Sequence, residues 1–145
     1  MNITLCTATK MAKERATILV VDDEPELRDL IKTCLEIEGF DVITAANGLD
    51  GLQRYKEHKD QVQVVVTDLD MPAMNGSDMI QEIFGITPAM KVIVASGNEA
   101  HSAQTLQRWE STSCLPKPYS ARELTNAVRS LLEAGSEPEL HRLAG

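Results

Sequence analysis

Short runs of apolar, β-branched residues alternate with longer amphipathic stretches along this chain. The runs are Thr17–Val21 (TILVV), Phe40–Thr44 (FDVIT), Val62–Thr67 (VQVVVT), Lys91–Ala95 (KVIVA) and, more weakly, Thr112–Leu115 (TSCL). The first, third and fourth are nearly continuous in apolar character, as strands covered on both faces are. Between Glu26 and Glu38, the residues Leu27, Leu30, Ile31, Cys34 and Leu35 repeat at helical spacing. Pro25 suits the first turn there and Gly39 the stop. Asn47 is placed to cap a second helix carrying Leu49, Leu52 and Tyr55. Met79, Ile80, Ile83 and Phe84 share one face of a third, and Glu99–Trp109 carries a weak stripe (Ala103, Leu106) for a fourth. Ser120-Ala121-Arg122-Glu123 is a capping box opening a fifth, which continues through Leu124, Ala127, Val128, Leu131 and Leu132.

Five strands alternating with five helices predict an α/β fold with a five-stranded parallel sheet, right-handed crossovers and helices on both faces. Residues 1–15 are polar and aperiodic and are read as a flexible leader. Residues 16–134 form the folded domain and 135–145 a flexible tail. At 145 residues there is room for one core, not two.

Charge narrows the function. Fourteen Lys and Arg against 22 Asp and Glu give a formal net charge of −8, which opposes direct binding to a phosphate backbone. No apolar run is long enough to span a bilayer, and the N-terminus lacks the apolar core of a secretory signal. Cys6, Cys34 and Cys114 have neither zinc-ligand spacing nor even number, which points to a reducing, cytoplasmic setting.

In open parallel sheets, ligands bind outside the carboxyl ends of the strands. Strand one runs into Asp22-Asp23-Glu24, and strand three into Asp68-Leu69-Asp70-Met71-Pro72. Strand four runs into Ser96-Gly97 and strand five into Lys117-Pro118. Each alone has an ordinary explanation. An acidic pair is a solvated turn or cap, Ser-Gly is turn chemistry, a lysine is a surface charge, and Met71, Met74 and Met79 are core fillers. Together they place several carboxylates, one hydroxyl and one ammonium on a single rim. Two unit charges ~5 Å apart at an effective dielectric of ~20 repel by roughly 3 kcal/mol. One lysine cannot neutralise Asp22, Asp23 and Asp68, so the cluster calls for a cation. Hard oxygen donors with open coordination positions suit Mg²⁺ and phosphate chemistry.

The segments ILVVDDEPELRDLIKTCLEIEGFDVITAANGLDGL, VVVTDLDMPAMNG, VIVASG and LPKP resemble the receiver domain of two-component response regulators, from about Ala16 to Glu133. That resemblance implies a doubly wound, flavodoxin-like sheet of strand order 2-1-3-4-5. It implies Asp68 as phosphoacceptor, Asp22, Asp23, Asp68 and the backbone carbonyl of Asp70 as the Mg²⁺ ligands, and Ser96 and Lys117 as the groups that contact the phosphoryl oxygens. The Lys117–Pro118 bond is expected to be cis. The implied function is a signalling switch rather than a turnover enzyme. Asp68 accepts phosphate from a phosphohistidine, and the loop after strand four and the Glu99–Trp109 helix respond. The implied partners are a histidine kinase or a histidine phosphotransfer protein and a downstream protein target, with a homodimer compatible. With no output segment after Glu133, a stand-alone receiver, a phosphorelay intermediate or a piece of a hybrid kinase all fit.

Two departures stand out. Cys114 occupies the position, three before the lysine, where many receivers carry Tyr or Phe. Asp70 and Asn98 flank the phosphoryl path, where they would tune the lifetime of the phosphorylated state. Two other functions compete. One is a receiver-like module that binds proteins without phosphorylation. The other is a phosphohydrolase using Asp68-Leu69-Asp70 as a DxD motif, against which the chain order argues, because the acid pair precedes the motif.

Overall fold

The structure, a computed structural model, describes residues 15–69, 76–97 and 112–136. Asp70, Asn98 and the predicted Glu99–Trp109 helix lie outside the described residues. The elements in chain order are β1 (Thr17–Val21), α1 (Pro25–Ile37), β2 (Asp41–Ala45), α2 (Gly48–His58), β3 (Val62–Asp68), α3 (Gly76–Ile86), β4 (Lys91–Ser96), β5 (Thr112–Pro116) and α4 (Ala121–Ser136). The strands form one parallel sheet in the order β2-β1-β3-β4-β5, as the resemblance implied.

Alternate residues of the inner strands feed two cores. Leu19, Val21, Val65, Val92 and Val94 pack with Leu52 and Tyr55 of α2 and with Met79, Ile80 and Ile83 of α3. Ile18, Val20, Val64, Val66 and Ile93 pack with Ile31 and Leu35 of α1 and with Leu124 and Val128 of α4. Both faces of β1, β3 and β4 are therefore dry, which is why their sequences read as unbroken apolar runs. Burying a side chain of this kind contributes about 1.5–3 kcal/mol.

The local signals set the helix ends. Asn47 Oδ1 accepts from the Asp50 N–H at 2.8 Å. Ser120 and Glu123 form the reciprocal capping box at 3.1 and 3.2 Å. Gly39 takes φ +100 at the turn out of α1, a conformation that favours glycine. Two apolar positions depart from the helical stripes: Leu30 is 59% exposed and Leu49 56%. Each stands at the margin of its stripe, beyond the arc the sheet covers. Phe40 precedes β2 instead of opening it; it is still buried, beneath the Arg129 guanidinium. The last helix runs through Ser136, two residues past the boundary drawn from sequence.

Candidate functional site

The carboxyl ends of β1, β3, β4 and β5 bring their side chains to one rim. Asp22 follows β1, and all three of its backbone and side-chain anchors are engaged. Its N–H donates to the Ala45 carbonyl at 3.1 Å. Its Oδ1 accepts from the Glu24 N–H at 2.8 Å. Its carbonyl accepts from Arg28 Nη1, one turn into α1, at 2.8 Å. Asp23 is exposed at the mouth, whereas Asp22 and Asp68 are buried, at 3% and 5% exposure.

Asp68 is the last residue of β3. The Lys117 ammonium donates to its Oδ2 at 2.6 Å, across β4 from the end of β5. The Lys117 N–H donates to the Ser96 carbonyl at 3.1 Å, tying the β4 and β5 ends together, and Ser96 itself is buried. The Lys117–Pro118 bond is cis. One ligand oxygen from each of Asp22, Asp23 and Asp68 lies within 4.8 Å of the others. This is the spacing of donors around one small cation, and hard carboxylate oxygens of this kind suit Mg²⁺. Of the residues singled out in the sequence, Asp22, Asp23, Asp68 and Lys117 thus converge; Ser96 ends the neighbouring strand and is tied to Lys117 through its carbonyl, and Asp70 falls outside the described residues.

Two supporting residues were not legible beforehand. Gly76, the first residue of α3, donates its N–H to the Leu69 carbonyl at 3.1 Å. A Cβ there would sit 2.3 Å from the Asp68 carbonyl oxygen, so only glycine lets α3 close onto the end of β3. Arg28 reads in sequence as one more polar helix position, and its contact appears only once α1 folds back beside β1. A separate cleft of about 380 Å³ between α1 and α4 is lined by Cys34, Ile37, Arg122 and Arg129, with none of the site carboxylates.

The electrostatics follow from crowding. Burial pushes the Asp22 carboxyl up; the Glu24 N–H and Lys117 oppose this, while the charges of Asp68 and Asp23 add to it. Burial alone would lower the Lys117 pKa, but the hydrogen bond and charge of Asp68, with Asp22 and Glu24, carry it upward. Tyr119 is pushed up to about 12 by burial and then by the charges of Asp22, Asp68 and Glu24. Lys117 and Tyr119 therefore hold their protons more tightly folded than unfolded. Their contribution to stability is complete below their unfolded values of 10.5 and 10.0 and is lost as pH rises through the folded ones. Without divalent cation, the denaturant midpoint should fall between about pH 10 and 12, and Tyr119→Phe should flatten that fall. Parallel pH profiles for the two proteins would contradict it.

The sequence profile of the response regulator receiver domain matches residues 18–129. Over 123 residues the chain is 37% identical to a transcriptional regulatory protein, a CpxR homolog, of Haemophilus influenzae. The match covers 83% of this chain and 52% of the relative, so the chain spans about half that protein's length. A receiver domain protein of known structure from Clostridium thermocellum superposes with a TM-score of 0.76 at 36% identity, over 83% of this chain and 97% of the other. A CheX–CheY–BeF3–Mg complex from Borrelia burgdorferi gives 0.74 at 26% identity, over 81% and 89%.

Proposed function

Since this chain belongs to the response regulator receiver domain family, we propose that it is a Mg²⁺-dependent phosphoacceptor switch of a two-component system or phosphorelay, with Asp68 as the acceptor. The observation that carries the reading is the convergence of three carboxylates within 4.8 Å of one another with Lys117 Nζ 2.6 Å from Asp68 Oδ2.

A phosphohistidine on a kinase or phosphotransfer protein presents its phosphorus to an Asp68 carboxylate oxygen. The O–P bond forms as the N–P bond breaks, and the imidazole nitrogen keeps the electron pair. Asp22, Asp23 and Asp68, with the Asp70 carbonyl, would hold Mg²⁺. When bound, it would supply positive charge to the phosphoryl oxygens in the transition state. Lys117 adds a second, fixed positive charge. It is positioned before the reaction by its backbone bond to Ser96 and its ion pair with Asp68. The Ser96 hydroxyl donates to a phosphoryl oxygen once the acyl phosphate exists, drawing the loop after β4 with it. The doubly charged product thus biases a two-state element toward the form a downstream protein recognises.

Incubation with acetyl phosphate tests the reading. The protein should gain one hydroxylamine-labile phosphoryl group in Mg²⁺ and none in excess chelator. Labelling that ignores chelation, or no labelling from either acetyl phosphate or a phosphohistidine donor, would overturn it.

A further inference from the structure

We propose that Arg28 is a positioning residue for the cation site, acting through the peptide plane between Asp22 and Asp23; the proposal rests on the Mg²⁺ reading above. Asp23 is the exposed member of the acid cluster. The direction in which its carboxylate leaves the chain follows from the plane that precedes it. That plane is rigid, so holding the Asp22 carbonyl also fixes the Asp23 N–H and the bond on which Asp23 turns. Arg28 Nη1 holds that carbonyl at 2.8 Å from a half-buried position. The base of Arg28 is itself fixed, because its N–H makes the first helical bond of α1, to the Glu24 carbonyl, at 2.9 Å. The two neighbouring anchors, Glu24 N–H on Asp22 Oδ1 and Asp22 N–H on Ala45, fix Asp22 but leave the following plane to Arg28.

Two effects of the guanidinium on cation affinity have opposite signs. As a positive charge near the cluster it repels Mg²⁺, so its removal would tighten binding. As an anchor for the Asp23 ligand it preorganises the site, so its removal loosens binding. Residues that orient metal ligands typically change affinity by about 10–100-fold, whereas the repulsion comes from a guanidinium that acts through a carbonyl without touching the cation, and salt weakens it. The net effect of Arg28→Ala is therefore weaker binding.

The test is a Mg²⁺ titration of the unphosphorylated full chain, by calorimetry and by the rise in Tm, for wild type, Arg28→Ala and Arg28→Lys. Alanine keeps the helix. Expected is a Kd about tenfold weaker for Arg28→Ala, with substantial recovery in Arg28→Lys, which keeps one donor. A Kd unchanged or tighter in Arg28→Ala, beside a responsive wild type, overturns the role of Arg28 alone. A lower Tm in chelator with an unaltered Kd assigns Arg28 to helix packing and likewise overturns it. A wild type that does not respond to Mg²⁺ sinks the cation reading and this proposal together.

Discussion

Asp68→Ala is expected to take up no phosphoryl group from a phosphohistidine donor or from acetyl phosphate, while unfolding as cooperatively as the wild type. The loss should be complete because the other two carboxylates are held for different work: Asp22 is buried and bonded to the Glu24 N–H, and Asp23 stands at the mouth. The fold should persist because the Asp68 backbone, paired in register with Ala95, is untouched by the truncation. Removing one carboxylate from a trio within 4.8 Å also relieves repulsion. Against this, the Lys117 ammonium loses its partner, but its side chain is 30% exposed and can turn to water. Label counted per protein in wild type and variant gives the answer. Label retained in the variant would move the acceptor to another residue.

Lys117→Ala is expected to produce its largest effect in the absence of divalent cation. Asp68, 6% exposed in its side chain, then faces Asp22 and Asp23 with no ammonium bonded to it. Leaving a buried charge without its charged partner costs about 1–3 kcal/mol, or more. The variant should therefore unfold at lower denaturant in chelator and recover most of that loss in Mg²⁺, which would also bind more tightly with its competitor gone. The Asp22 carboxyl, which Lys117 helps to hold down, should titrate higher still. Phosphorylation of Asp68, where it occurs, should be transmitted poorly to the loop after β4, because the ammonium bonded to Asp68 is gone, even though the backbone bond from position 117 to the Ser96 carbonyl survives the substitution. Equal losses of stability with and without Mg²⁺ would count against a shared pocket for lysine and cation.

The elements that the chain announces are those whose environment is uniform along their length. β1, β3 and β4 are dry on both faces, so apolar character is unbroken and their limits shift by one residue at most. The caps at Asn47 and Ser120 were legible because capping uses only neighbours in sequence. Leu30 and Leu49 fit the helical stripes yet lie exposed, because helical periodicity gives a direction but not the width of the surface that covers it. The site divides in the same way. That Asp22, Asp68, Ser96 and Lys117 end strands could be read directly, since parallel topology puts strand ends on one rim. Their roles came from the family resemblance. Gly76 and Arg28 carry no signal in the sequence because their reason is a contact between elements: a glycine against the Asp68 carbonyl, and a guanidinium reaching back to a strand end.

The pocket also has a chronology. Its carboxylates belong to residues 22, 23 and 68, and the ammonium bonded to Asp68 belongs to residue 117 at the far edge of the sheet. Synthesis is vectorial, so the negative charge leaves the ribosome well before the positive one. In any arrangement where β1 and β3 are paired and β5 is not, the rim carries the three carboxylates without the ammonium that bonds Asp68. An edge strand that joined last would enter a field attracting the lysine at its tip, so the order of charges along the chain favours the native position of β5.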